Sequence, residues 1–209
     1  MEKTEELKSK EEIINYFREN YLLSDLKVKF ERYKAMVSEI SKNQGKSIQW
    51  NLSGDPIIVD TFKYSPFINI MIHLFRNMVD HGIEEEEKRK EKSKPSTGSI
   101  SVQFKENGNN FSIILSDDGQ GIDPKMIKEK AIQKGVKQKS ELELLDDKHL
   151  IDMIFLPGFS TKNEVNHISG RGVGMDAVRE EVERLGGSIK VESFLDKGTT
   201  FRINLPFLK

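Results

Sequence analysis

Apolar side chains recur at the spacing of an α-helix along residues 11–44, with charged residues between them. The pattern ends at Gln44-Gly45, and a break is predicted near residues 20–24. The apolar positions are Ile13, Ile14, Phe17, Leu22, Leu26, Phe30, Tyr33, Ala35, Val37 and Ile40. We predict that residues 1–44 form an N-terminal helical segment, either a dimerisation or linker remnant or the leading helix of a domain at residues 45–209.

A second apolar segment, residues 65–81, predicts a helix that is buried on most sides and stopped by Gly82. Polar residues nevertheless recur along one side of this helix, every fourth position at first and then one turn further on. This polar stripe consists of Asn69, His73, Asn77, Asp80 and His81. Because burying unpartnered polar groups costs free energy, the stripe indicates a ligand or a partner.

Alternation of apolar and polar residues predicts three hairpins. Their strands are 47–52 with 57–60, 99–105 with 111–116, and 188–194 with 199–205. Apolar residues at helical spacing predict three further helices, at residues 124–134, 147–155 and 173–185. The glycines and Pro157 within residues 156–170 predict a mobile loop there. We therefore predict an α+β fold, a two-layer α/β sandwich whose mixed, mostly antiparallel sheet is covered on one face by helices.

Composition narrows the chemistry more than the fold. The 209 residues are 36% apolar and 32% charged, with a formal net charge of −1 and no cysteine. Such a chain is typical of a soluble globular protein and has no basic excess for nucleic-acid phosphates. Without cysteine, disulfides and thiolate chemistry are excluded. Since no apolar run approaches the roughly 20 residues of a membrane span, we expect a cytoplasmic protein without membrane insertion.

Two glycine-rich segments suit a nucleotide. The first, Ser169–Asp176 (SGRGVGMD), precedes a predicted helix, so its N–H groups and the helix N-terminus favour an anion. It fits neither the G-x-G-x-x-G of dinucleotide folds nor a P-loop. The second, Asp117–Gly121 (DDGQG), follows a predicted strand, where a carboxylate can accept from an exocyclic amine and glycines let a flat ring approach. Taken alone, each segment is also compatible with an ordinary turn.

The polar stripe completes the set. An amide oxygen such as that of Asn77 suits a hard cation like Mg2+, which favours phosphate-bridged sites. Zinc is disfavoured, because His73 and His81 have no third ligand at a useful spacing.

Together these segments resemble a known family. His-x3-Asn, D-x-G-x-G, G-x-G-x-G and a final G-T-T-F follow the N, G1, G2 and G3 box order of the GHKL ATP-binding fold. The match is to the catalytic domain of the CheA family of chemotaxis histidine kinases, over about residues 25–207. The matching segments are HLFRNMVDHGIE (73–84), DDGQGID (117–123), PGFSTK (157–162), SGRGVGMDAVR (169–179) and GTTFRINLP (198–206). The resemblance implies the Bergerat (GHKL) fold with ATP and Mg2+ as ligands.

The resemblance also implies residue roles. Asp117 would accept from the adenine amine, with Gly119 and Gly121 lining the base pocket and Thr199 completing it, while Asn77 would ligate Mg2+. The implied catalytic residues are His73, Asn77, His81 and Lys162. The implied nucleotide-binding residues are Arg76, Asn77, Asp80, Asp117, Gly119, Gly121, Ile122, Lys130, Gly170, Arg171, Gly172, Val173, Gly174, Met175 and Thr199.

The implied activity is that of a protein histidine kinase in two-component signalling. The γ-phosphoryl group of ATP would pass to a histidine-containing phosphotransfer domain, in cis or in trans, and then to a response regulator. His73 stands where many GHKL ATPases carry a glutamate, and an imidazole suits transfer better than hydrolysis at neutral pH. We expect the coupling domain of the CheA family to be absent from this chain. A GHKL ATPase with a nucleotide-driven lid, or a non-catalytic nucleotide-sensing module, stays an alternative.

The run of charges at residues 84–94 (EEEEKRKEKSK) has the composition of a solvated helix end or loop. We therefore predict that it is exposed to solvent. Within it, Arg89 and Lys94-Pro95 match the CheA family, whereas Ser93 replaces a usual glycine, a change to which we assign no chemical cost.

Overall fold

The computed structural model describes residues 12, 13, 16, 22–159 and 174–208. The strands are β1 (Leu23–Asp25), β2 (Ile48–Gly54), β3 (Ile58–Asp60), β4 (Gly98–Asn107), β5 (Asn110–Asp117), β6 (Ser188–Phe194) and β7 (Gly198–Pro206). The helices are α1 (Leu26–Asn43), α2 (Ser65–Asn77), α3 (Glu86–Glu91), α4 (Pro124–Gln133), α5 (Lys139–Leu142), α6 (Asp147–Asp152) and α7 (Met175–Arg184). A π-helical turn, Met78–Gly82, continues α2, and a 3₁₀ turn, Met153–Phe155, continues α6.

The main sheet of the described residues is mixed, with strand order β2-β4-β5-β7-β6. Only β2 and β4 run parallel in it, and the other neighbours are antiparallel. Buried and more exposed residues alternate along β4 to β7, so one face is apolar and packs against helices. The opposite face carries polar side chains such as Ser116 and Thr200, whose hydroxyl oxygens are 2.9 Å apart. The predicted α+β sandwich is confirmed.

The predicted hairpin between residues 47–52 and 57–60 is wrong. β2 pairs with β4, while β3 pairs with β1 in a separate two-stranded sheet. The Asp55 N–H donates to the Phe104 carbonyl at 3.0 Å, and the Asp55 carboxylate accepts from the Glu106 N–H at 3.0 Å, which keeps the turn on β4. Asp25 then accepts from the Ile57 N–H at 3.1 Å and so draws β3 away from the sheet.

Helix α1 packs in the same core as the sheet. Its buried apolar side chains are Leu26, Phe30, Tyr33 and Val37. The Phe30 ring lies edge-on to that of Phe104 in β4, with centroids 5.2 Å apart. The break predicted near residues 20–24 falls at β1, where the Asp25 carboxylate caps α1 by accepting from the Lys27 N–H at 3.0 Å. The domain boundary at residue 44 stays a prediction.

A smaller apolar cluster lies between α4, α5 and α6. It consists of Ala131, Leu142, Leu150, Met153 and Phe159. Because Phe159 is buried there and the Gly158 carbonyl accepts from Lys134 Nζ at 2.6 Å, the first residues of the predicted mobile loop are anchored. Residues 160–170 lie outside the described residues. No helix in the described part of the chain has the length and apolar character that crossing a membrane requires.

Candidate functional site

The end of the sheet brings together Asp117 and Thr199. They are paired across β5 and β7 and point to the buried face, where Asp117 is 7% and Thr199 6% exposed. Ser193 on β6 lies beside them, with its Oγ 2.9 Å from the Thr199 hydroxyl. The same Ser193 oxygen accepts from the Ile122 N–H at 2.8 Å, which fixes the chain beyond the D-x-G-x-G segment. Ser193 was missed by the sequence reasoning, because a strand serine carries no motif.

The Asp117 carboxylate is buried without a cation. Its Oδ1 accepts from the Gly119 N–H at 2.9 Å. Burial raises the pKa of Asp117 to about 6, although hydrogen bonds from the N–H groups of Gly119 and Thr199 oppose the rise. Among the residues described, no lysine, arginine or histidine forms an ion pair with it. A carboxylate in this setting suits a neutral hydrogen-bond donor such as an amine.

The loop 117–121, here called the Asp117 loop, lies against two stretches of backbone. A Cβ atom on Gly119 would come within 2.1 Å of the Gly82 carbonyl oxygen, and one on Gly121 within 2.2 Å of the Phe194 carbonyl oxygen. The Gln120 N–H donates to the Gly82 carbonyl at 2.8 Å. Glycine is therefore required at both positions by packing alone.

Helix α2 and the π turn form the other side of the site. His73 and Asn77 are half-buried, whereas Arg76 and His81 are exposed. Burial, with a smaller effect of Arg76, lowers the pKa of His73, so its imidazole is neutral at pH 7. The helix widens at Met78, whose carbonyl accepts from the Ile83 N–H at 2.8 Å.

This widening changes the predicted polar stripe. A π turn contains an extra residue, so Asp80 and His81 do not continue the stripe at α-helical spacing. The Asp80 carboxylate accepts from Gln44 Nε2 at 2.7 Å, and the His81 carbonyl accepts from Gln120 Nε2 at 2.7 Å. The turn is therefore tied on one side to the connection after α1 and on the other to the Asp117 loop.

Lys46 also holds the π turn and was missed by the sequence reasoning. Its Nζ donates to the Val79 carbonyl at 2.6 Å and to the Asp80 carbonyl at 3.4 Å. Burial lowers its pKa, partly offset by the charge of Asp80. These bonds satisfy carbonyls at a helix end. A lone lysine after a glycine gives no sequence signal for this role.

The prediction that residues 84–94 are solvated is wrong for Glu84 and Arg89. Glu84 is 6% exposed and Arg89 is fully buried. Together with Asp118 and Lys94 they form what we call the charge cluster: Arg89 Nη2 lies 2.7 Å from Asp118 Oδ2, and Lys94 Nζ lies 2.8 Å from Glu84 Oε1. The match of Arg89 and Lys94-Pro95 to the CheA family was the one available signal. Glu84 and Arg89 can be buried because each lies beside an opposite charge.

The remaining predicted residues fall near the start of α7 or on α4. Gly174 is buried at the N-cap of α7, and Met175 packs in the main core. Lys130 is half-buried on α4, with its Nζ 5.8 Å from the centre of the Phe159 ring. Burial and the nearby charge of Lys134 lower its pKa. Among the candidate site residues, those outside the described residues are Lys162, Gly170, Arg171, Gly172 and Val173.

Arg179 joins the two segments that flank residues 160–173. Its guanidinium donates twice to the Asp152 carboxylate, at 2.6 and 3.0 Å, and lies 4.0 Å above the Phe155 ring. The 3₁₀ turn after α6 is thereby held against α7.

The donor set fits a magnesium nucleotide. In the described part of the chain the Asn77 side chain has no hydrogen-bond partner, and no group of three acidic or histidine side chains could hold a metal by itself. Mg2+ accepts one amide oxygen when phosphate oxygens and water supply its other ligands. A divalent ion at Asn77 would thus depend on a phosphate-bearing ligand.

Comparison with known proteins identifies relatives among histidine kinases. The chain is 41% identical over 177 residues to the sensor histidine kinase CheAY of Helicobacter pylori, with 85% of this chain and 22% of that protein covered. It is 39% identical to the chemotaxis protein CheA of Bacillus subtilis, with 85% of this chain and 26% of that protein covered. The chain therefore spans about a quarter of the length of these relatives.

Solved structures show the same fold. The catalytic domain of the histidine kinase ThkA matches with a TM-score of 0.56 at 16% identity, covering 88% of this chain and 94% of that domain. A mycobacterial sensor histidine kinase, MprB, matches with a TM-score of 0.54 at 18% identity, covering 88% and 97%. The family model described as histidine kinase-, DNA gyrase B- and HSP90-like ATPase matches residues 68–209. The chain belongs to this family.

Proposed function

We propose that the chain is the ATP-binding catalytic domain of a CheA-like histidine kinase. It binds ATP with Mg2+ and transfers the γ-phosphoryl group to a histidine of a separate phosphotransfer domain, from which a response regulator is then phosphorylated. The observation that carries the proposal is the buried Asp117 carboxylate, which has no cation in the described part of the chain and lies across from Thr199.

This carboxylate supports the proposal that the base of the nucleotide binds at this end of the site. An adenine 6-amino group is a neutral donor, so it satisfies a buried acceptor without bringing in a charge. The hydroxyl of Thr199, 2.9 Å from Ser193 Oγ, offers a second polar contact beside it. A guanine would instead present a carbonyl oxygen at the same position, which repels a carboxylate.

The side chains of α2 support the proposal that the phosphates bind at the other end of the site. Asn77 offers an amide oxygen to Mg2+, which when bound neutralises phosphate charge. The neutral imidazole of His73 suits a hydrogen bond to the acceptor or to a phosphate oxygen, and Arg76 and His81 add donors at the rim. Lys130, Lys162 and residues 170–175 complete the proposed nucleotide contacts.

The reaction needs little covalent help from the protein. A nitrogen of the acceptor imidazole attacks the γ-phosphorus, the bond to the β,γ-bridging oxygen breaks, and ADP leaves with that oxygen. The proposed residues therefore bind and orient, and they contribute no nucleophile. This fits a site built of amide, imidazole and backbone groups.

The proposal is tested with the chain, ATP, Mg2+ and a histidine-containing phosphotransfer domain. We expect acid-labile phosphohistidine on the partner domain and slow phosphate release when the partner is left out. The Asn77→Ala variant should lose transfer, while the exposed Lys90→Met variant serves as the matched control. Rapid ATP hydrolysis without a partner would favour an ATPase, and tight binding without either reaction would favour a nucleotide sensor.

A further inference from the structure

The charge cluster contains a fully buried arginine, Arg89, and each of its three guanidinium nitrogens donates a hydrogen bond. Arg89 Nη1 donates to Glu84 Oε2 at 3.1 Å and to the Asp118 carbonyl at 3.3 Å. Nη2 donates to Asp118 Oδ2 at 2.7 Å, and Nε donates to the Pro95 carbonyl at 2.7 Å. The planar guanidinium therefore fixes both the side chain and the backbone of Asp118.

Lys94 holds the next peptide of the same loop. Its Nζ donates to the Asp118 carbonyl at 3.0 Å, to the Gly119 carbonyl at 2.7 Å and to Glu84 Oε1 at 2.8 Å. An ammonium group has three donors, so all of them are used. Two successive carbonyls after Asp117 thus point toward one cation.

The loop is held from the opposite side as well. Asp118 Oδ1 accepts from the Ser99 N–H on β4 at 2.8 Å. Gly119 donates its N–H to Asp117 Oδ1 and lies against the Gly82 carbonyl. The orientation of the Asp117 carboxylate is therefore linked, through one peptide, to the carbonyls that Arg89 and Lys94 hold.

The energetics of the cluster favour a role in positioning. Buried ion pairs recover little more free energy than their desolvation costs, and apolar residues of similar volume often stabilise a fold equally well. Arg89, Lys94, Glu84 and Asp118 together balance two positive with two negative charges. What apolar residues could not supply is the set of directed bonds to the Asp118 and Gly119 carbonyls.

We propose that Arg89 and Lys94 are positioning residues for nucleobase recognition: by holding the Asp118 and Gly119 carbonyls they keep the Asp117 carboxylate directed at a 6-amino purine, and so set the preference for adenine over guanine. This inference rests on the proposed function of the site. Neither cation contacts the nucleotide, since both face the loop from behind.

The test compares Lys94→Met with Lys90→Met. Lys90 lies on α3, four residues before Lys94, and pairs with exposed Glu86, so its variant controls for the loss of a lysine. Lys94→Met is expected to fold, because Glu84 keeps Arg89 at 3.1 Å and Lys92 at 3.7 Å. Calorimetry measures the affinity of the full chain for ADP and for GDP, each with Mg2+, and circular dichroism checks folding.

We expect Lys94→Met to bind ADP about tenfold more weakly than the wild-type chain. The ratio of its ADP affinity to its GDP affinity should fall by a similar factor. Lys90→Met should leave both unchanged. Arg89→Lys keeps the charge but loses the forked geometry of the guanidinium, so it should also lower the ratio of ADP affinity to GDP affinity. If Lys94→Met does not fold, the Arg89→Lys variant tests the positioning role in its place.

A purely structural role predicts a different result. The variants would then melt at lower temperature but show the wild-type ADP-to-GDP ratio below the transition, and this outcome would overturn the positioning role while leaving the proposed function intact. A wild-type chain that binds neither nucleotide, or binds both equally, would overturn the proposed function and this inference with it.

Discussion

Two adjacent carboxylates at the end of β5 lie in opposite surroundings. Asp117 faces the interior of the site, has no cation among the described residues and has its pKa raised to about 6 by burial. Asp118 faces the charge cluster, where it binds the fully buried Arg89 at 2.7 Å and accepts from the Ser99 N–H. On one side of the loop the carboxylate has no counter-charge, and on the other side the carboxylate forms an ion pair.

The comparison indicates that Asp117 serves ligand binding, whereas Asp118 serves the stability of the fold. A buried carboxylate without a counter-charge destabilises the empty fold, and a ligand that donates a hydrogen bond recovers part of that cost. A carboxylate in an ion pair with a buried arginine does the reverse, since its removal leaves the buried cation with less compensating charge. The following predictions test this contrast, beginning with the largest effect.

Replacing the paired carboxylate should destabilise the fold most. Asp118→Asn removes one of the two counter-charges of the buried Arg89 guanidinium and leaves Glu84 at 3.1 Å, so the free energy of unfolding should fall by about 2 kcal/mol or more. Urea denaturation at pH 7 measures this. A loss below about 1 kcal/mol would mean that Arg89 is adequately balanced by Glu84 alone.

Replacing the unpaired carboxylate should have the opposite effect on stability. The pKa of Asp117 is higher in the folded chain than in the unfolded chain, so stability falls as pH rises between about 4 and 6 and the full cost is present at pH 7. Asp117→Asn removes that cost and should raise the free energy of unfolding by about 1–3 kcal/mol at pH 7. The gain should vanish below about pH 4, where both states are protonated.

The same substitution should weaken the nucleotide. ADP affinity of Asp117→Asn should fall about tenfold or more, because the amide is a weaker acceptor than the carboxylate. Calorimetry on the same preparation gives the comparison with stability. Unchanged affinity would remove Asp117 from base recognition.

Acidity should weaken binding in the wild-type chain. An ionised Asp117 accepts from adenine and a protonated one does not, so ADP affinity should be close to its maximum above about pH 7 and fall about tenfold between pH 7 and pH 5. Asp117→Asn corrects for protonation of the phosphates, since its affinity should change with pH only through the nucleotide. Parallel pH profiles for the two proteins would contradict the assignment.

The smallest effect concerns Ser93, between the two cations of the charge cluster. Its φ of 58° lies in the left-handed region, where a β-carbon is strained, so the assumption that serine replaces the family's glycine without cost is wrong. Ser93→Gly should stabilise the chain by about 0.5–1 kcal/mol and leave ADP affinity unchanged. Ser93→Ala, which keeps the strain, should give no such gain in thermal denaturation.

The strands and helices that could be predicted are those whose pattern is local. Alternation along β4 to β7 follows from one apolar face, and the helix around His73 and Asn77 follows from its periodicity. The parallel pairing of β2 with β4 could not be predicted, because Ser53–Pro56 is a good turn signal and the competing bonds come from Phe104 and Glu106, some 50 residues away.

In the candidate site, the residues that belong to sequence motifs could be predicted, whereas the residues that hold them in place could not. Asp117 and Asn77 belong to motifs whose order along the chain is specific. Arg89 lies in a run of charges that local composition describes as solvated, and its burial depends on Asp118, 29 residues further along. Lys46 and the π turn depend likewise on tertiary contacts that no window of sequence contains.

The close contacts of the glycines determine how this site can be re-engineered. Gly119, Gly121 and Gly198 each have a backbone carbonyl oxygen within 2.2 Å of where a β-carbon would stand. In a mutant library made to find a new ligand, most variants at these three positions would not fit the backbone. Diversity is better placed at Ile122 and Thr199, whose side chains already occupy space and can be exchanged for others of different shape.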